Sequence, residues 1–161
     1  MNKNLDSAIS AVEMTYDQVV HLANDIVDEL TAPVDSIIES AANNVEDMTT
    51  DALRDTLLKL ALQTYSFAPV KDKAAFKAVL AETLRKEAYA NALNMAEGTV
   101  AAKESKATLA ISAEIIVEQI YELAADLLKT KLDECHRAAS VLTTVITTRL
   151  SEAKLSQIDV Q

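Results

Sequence analysis

The stretch ISAEIIVEQIYELAADLLKTKLDECHRAASVLTTVITTRLSEAKL, residues 111–155, decides the fold. It holds no glycine or proline, and Val117, Tyr121, Ala124, Leu128, Leu132, Cys135, Ala139, Leu142, Ile146, Leu150 and Ala153 follow one another by threes and fours. That spacing lays one apolar stripe along an α-helix. A helix of about 45 residues measures about 68 Å at 1.5 Å per residue. The short helices of one compact domain do not cover such a length. The spacing therefore predicts a protruding end or a second copy of the chain packed against it.

The rest of the chain is punctuated just as sparsely. Gly98 is the one glycine in 161 residues, where average usage would give roughly 11. Pro33 and Pro69 are the only prolines, and sheets, barrels and ligand-cradling loops need many more such residues. Half the residues are hydrophobic, but only 4% are aromatic, which implies a core of Leu, Ile, Val and Ala. The expectation is all-α: one domain over residues 1–161, built as an elongated, coiled-coil-like helical bundle. It would comprise an acidic helical arm (1–48), middle helices (49–98) and a long C-terminal helix (99–161).

In the first segment Leu5, Ile9, Val12, Tyr16, Val19, Ala23, Ile26 and Leu30 are spaced 4-3-4-3-4-3-4, a heptad seam. With Leu128, Leu132, Leu142 and Ile146 it is the expected homo-oligomer seam. Pro33 is expected to end or kink this helix, after which Val34, Ile37, Ile38, Ala41 and Val45 resume the stripe. Thr49 or Thr50 would cap the next helix. That helix is short and apolar, and is broken at Ser66-Phe67-Ala68-Pro69. The following one, about 70–96, should turn Phe76, Val79, Leu80, Leu84 and Ala88 to one side and end at Gly98 as its C′ residue.

The net charge of −10 is unevenly spread. Residues 1–48 hold ten acids against Lys3 alone, a net of −9. An acidic surface of that kind repels nucleic acid and favours basic protein partners, or simply keeps the protein soluble. No apolar run approaches the roughly 18–20 residues that span a bilayer. The start of the chain has no secretory apolar core, and the lone Cys135 suits a reducing compartment. The expected location is cytoplasmic, with no membrane partner.

Chemistry-bearing patterns are few. A single glycine cannot build a phosphate-cradling loop, and Cys-x-x-Cys and His-Glu-x-x-His are absent. Glu114, Glu118, Glu122 and Asp126 stand four apart on one helix face. They suit either a Mg²⁺ cluster of the kind held by all-α nucleotide pyrophosphohydrolases, with Asp25, Asp28 and Glu29 as its second half, or a solvated face. Asp133 with His136 is one distant echo of di-iron spacing and Asp17 with His21 is an i,i+4 pair; each histidine reads better as paired with a nearby acid or lying at the surface. Cys135 lies on the apolar stripe and reads as a core residue. Lys71, Lys73, Lys77, Arg85, Lys86, Lys103 and Lys106 form the one basic cluster, with Tyr89 four residues past Arg85. Together they are the candidate contacts for a phosphate backbone and a stacked base, unless they form a mixed surface with Asp72, Glu82 and Glu87.

Residues 85–93 (RKEAYANAL) and 97–104 (EGTVAAKE), followed by a long helix with Lys129-Thr130-Lys131-Leu132-Asp133-Glu134 and Val145 to Arg149, resemble a layout common in small all-helical tailed-phage proteins. That group includes the UvsY-type recombination mediators. The resemblance covers roughly residues 80–150 and rests on layout. It implies a ring-like homo-oligomer in the host cytoplasm that binds single-stranded DNA and helps load a recombinase, with a recombinase or single-strand-binding protein as partner. Arg85, Lys86, Tyr89, Lys103 and Lys106 would be its contacts, and no catalytic residue or cofactor is implied. Two other readings stand beside this non-enzymatic accessory role. One is an acidic adaptor or inhibitor that binds proteins and no nucleic acid. The other is a Mg²⁺-dependent hydrolase.

Overall fold

A computed structural model describes the backbone of residues 3–158 and the side chains of residues 15–156. It contains four helices: α1 (Lys3–Asn44), α2 (Thr50–Met95), α3 (Val100–Ala110) and α4 (Ser112–Ile158). No strand occurs among the described residues. The all-α class and the long terminal helices expected from composition are therefore observed.

The prolines do not divide the helices. α1 runs through Pro33 and α2 through Pro69, against the breaks the sequence suggests. Each proline removes one backbone donor and frees the carbonyl four residues earlier. Pro33 and Glu29 are exposed, as are Pro69 and Tyr65, so water can satisfy those carbonyls. Buried Val34 and Phe67 anchor the flanking turns. Gly98, with φ +121°, lies three residues past the end of α2 and just before Thr99. The Thr99 hydroxyl accepts from Ala102 N at 3.4 Å and caps α3. Glycine is needed there because a side chain at that φ is strained.

The chain forms two compact units, Met1–Val27 with Lys71–Leu127 and Asp28–Val70 with Leu128–Gln161. In the second, Leu53, Leu60 and Phe67 of α2 stand seven residues apart and are fully buried. They pack with Val34 and Ala41 of α1 and with Cys135, Leu142 and Ile146 of α4. Seven-residue repeats on three helices are the signature of coiled-coil packing.

Polar contacts close the two ends of that unit. Asp47 N and Met48 N each donate to Asn44 O at 3.0 Å, ending α1, and the Thr49 hydroxyl accepts from Ala52 N at 3.2 Å to start α2. The Arg149 guanidinium donates to Val45 O at 2.8 Å, to Glu46 O at 2.9 Å and to Met48 O. α1 has no basic residue in its last turn, so an arginine from α4 supplies the cation that a helix C-terminus favours. Lys131 Nζ donates to Asp35 at 2.7 Å and to Glu134 at 2.6 Å. Burial alone would lower the pKa of Lys131, but these two carboxylates hold it above the ordinary lysine value.

The first unit has a core of small residues. Val19, Ala23 and Val27 of α1, Ala74 and Ala81 of α2, Ala107 of α3, Ile111 at the C-terminal cap of α3 and Ala124 of α4 are its buried side chains among the described residues. Alanine at a helix contact lets the axes approach closely. This corrects two expectations. Phe76, Val79, Leu80 and Leu84 are exposed, because α2 turns its alanine face inward and leaves its larger side chains outside. On α1 the buried stripe runs Val19, Ala23, Val27, Thr31 and Val34, so Ile26 is exposed and Leu30 half-buried. Three successive steps of four, from Val19 to Thr31, replace the expected alternation of four and three before a step of three reaches Val34. Leu5, Ile9 and Val12 lie outside the residues whose side chains are described. On α4 the apolar stripe is buried at Leu128, Cys135, Leu142 and Ile146 and half-buried at Leu132 within the single chain, so these residues are covered without the second copy expected on them, whereas Val117 and Leu150 are exposed.

Two phenylalanines nine residues apart test this inversion. Phe67→Ala should cost about 3–5 kcal/mol, and Phe76→Ala should stay within about 0.5 kcal/mol, read by urea denaturation of each variant.

Candidate functional site

The carboxylate ladder of α4 does not act as one group. Glu118 accepts from the Arg85 guanidinium, both side chains being largely buried. Glu114 turns one carboxylate oxygen inward, where it meets no hydrogen-bond donor among the described residues. Glu122 and Asp126 instead face a groove of about 670 Å³, together with Gln119 and Leu123 of α4 and Thr15, Tyr16 and Val19 of α1. Neither Glu122 nor Asp126 has a cation within 4 Å among the described residues. Among those residues no three His, Cys, Asp or Glu side chains converge as a metal would require. The ladder therefore does not fit a Mg²⁺ cluster: its members point to different partners along the helix.

The basic residues are dispersed and largely engaged. Lys71 pairs with Asp72 at 3.2 Å and Lys86 with Glu82 at 2.5 Å. The Lys86 hydrogen bond lowers the pKa of Glu82. Lys77 Nζ sits 5.1 Å from the centre of the Tyr121 ring, within cation–π range. Lys106 Nζ donates to Glu97 O at 3.0 Å, tying α3 back to the end of α2. Lys73 is exposed, and Lys103 and Tyr89 are half-buried. At 100° per residue, Lys71, Lys73, Lys77, Arg85 and Lys86 spread over more than half the circumference of α2. No single stripe for a phosphate backbone results.

A second groove of about 370 Å³ in the same unit is lined by Leu80, Ala81 and Leu84 of α2 and Ala113, Val117 and Tyr121 of α4, with Lys77 and Glu114. It exists because the larger side chains of α2 stand outside the alanine core.

The remaining reactive side chains have structural surroundings. His21 pairs with Asp25 at 3.0 Å and not with Asp17, since a side chain four residues on lies along the same face. His136 is exposed. Cys135 is fully buried in the second unit. Burial pushes its thiol up, a hydrogen bond with Thr64 only partly opposing the shift.

Sequence reading missed Thr15, Gln119 and Leu123 as groove residues, because nothing in their spacing separates a covered helix face from an open one. It also passed over Arg149, whose only signal is a basic residue near the end of an otherwise apolar stripe. No protein-family model, curated protein or solved structure matches the chain.

The Arg85–Glu118 pair can be tested by a double-mutant cycle. Arg85→Ala should cost about 1.5–3 kcal/mol by stranding a largely buried carboxylate. Adding Glu118→Gln should restore part of that loss, as measured by thermal melts of the three variants.

Proposed function

We propose that this protein acts by binding, as an acidic adaptor that presents a carboxylate-rich helical surface to a basic protein partner. One asymmetry carries this reading. Four cations of α2, Lys71, Lys77, Arg85 and Lys86, are taken up within the chain by Asp72, the Tyr121 ring, Glu118 and Glu82. By contrast, Glu122 and Asp126 line an open groove without a cation among the described residues. An excess of ten acids over the whole chain adds a field that draws basic partners and repels phosphate. The competing reading, a mediator-like accessory protein that binds single-stranded DNA, needs those same α2 cations to exchange their internal partners for phosphates.

Self-association belongs to the same proposal. What supports it is a second apolar stripe on α2, where Leu58, Leu62 and Tyr65 are exposed and stand four and three residues apart. They lie on the side of the helix away from Leu60 and Phe67.

Fluorescence anisotropy at low and moderate salt separates the two binding readings. A labelled single-stranded oligonucleotide should show no binding, and a labelled lysine-rich amphipathic peptide should bind and weaken with salt. The opposite pattern would replace the adaptor by the mediator. Analytical ultracentrifugation should give a mass above the 17.4 kDa monomer. Leu58→Glu with Leu62→Glu should return it to the monomer value.

A further inference from the structure

In the first unit a groove lies between α1 and α4. Along α1, Val19, Ala23 and Val27 are covered, at 7%, 0% and 3% exposure. Tyr16 is seven residues before Ala23, so it projects from nearly the same side of the helix. It is nevertheless 66% exposed. The inward face of α1 thus continues to Tyr16, where no described helix covers it. Facing it across the groove is Leu123 of α4, and Val19 lies beside it. This is a strip of helix-packing surface left open.

Its charge selects the occupant. Glu122 and Asp126 are both exposed and one helical turn apart, about 6 Å along α4. Two like charges at that spacing repel each other and are relieved by cations. Two carboxylates one turn apart match two basic side chains one turn apart on a facing helix. Tyr16, Val19 and Leu123 between the walls match the apolar anchors such a helix carries at i, i+3 and i+4.

We infer that this groove docks an amphipathic helix of a partner protein, one that places Lys or Arg beside its apolar stripe. The inference rests on the adaptor reading and gives it a location. Apolar anchors of the partner complete the inner face of α1 at Tyr16, and its cations pair with Glu122 and Asp126.

The probe is a fluorescein-labelled synthetic helix of about 18 residues with leucine at helical spacing and lysine on the flanks. A second peptide has the same composition in scrambled order. Glu122→Lys with Asp126→Lys should weaken the ordered peptide by roughly tenfold or more, and Tyr16→Ser should weaken it without changing the net charge. Asp28→Lys with Glu29→Lys makes the same change in net charge at exposed acids of the second unit and should leave binding close to wild type. The scrambled peptide should bind at least about tenfold more weakly than the ordered one. Circular dichroism confirms that each variant remains helical. Equal weakening by the two charge reversals, an inert Tyr16→Ser, or equal binding of the two peptides would overturn the groove while leaving the adaptor reading in place. Failure of the ordered peptide to bind the wild-type protein would overturn both.

Discussion

Leu53, Leu60, Phe67, Ala74 and Ala81 stand at successive seven-residue intervals on α2, and all five are buried. Everything else about the packing follows from that constraint. A helix of 46 residues with a heptad stripe turns one line of side chains inward, and the long helices α1 and α4 supply most of the other buried residues, with Ala107 from the short α3. The side-chain size along the line then sets the character of each unit. In the second, leucine and phenylalanine fill the space between α1, α2 and α4 and build a core of large residues. In the first, alanine takes the same positions, the helices approach closely, and larger side chains such as Phe76, Leu80 and Leu84 remain outside.

That choice of small inward residues shapes the surface of the first unit. With the bulk of α2 displaced outward, an apolar groove opens beside Tyr121 and Val117, and the exposed Lys77 lies over the Tyr121 ring. Arg85 lies close enough to the core to meet Glu118, and this pair removes a cation from the surface together with one member of the α4 ladder. Glu122 and Asp126, one and two turns further along, face α1 where, among the described residues, Thr15, Tyr16 and Val19 line the opposite wall. The acidic character of the groove is thus a consequence of helix register as much as of composition.

The second unit uses its charges differently. Arg149 and Lys131 are spent on architecture: one gathers carbonyls at the end of α1, and the other bridges Asp35 and Glu134. Cys135, fully buried among the apolar residues, behaves as a packing residue whose burial disfavours the reactive thiolate.

The helical class and the great length of α4 could be read directly from the residues, because backbone propensity and apolar periodicity are local properties of the chain. A cap at Thr49 or Thr50 and the apolar stripe from Leu128 to Ile146 were legible for the same reason, and the fold chose Thr49. The face that each helix turns inward was not. On α2 two apolar stripes compete, and periodicity favours the one with the bulkier residues, Phe76, Val79, Leu80 and Leu84, although the alanine stripe is the one buried. Nor did the ladder of four acids reveal that Arg85 would claim Glu118 and leave Glu122 and Asp126 to the groove. Pairing and burial depend on which neighbour lies opposite, and residues far apart in the chain become neighbours only when the helices pack.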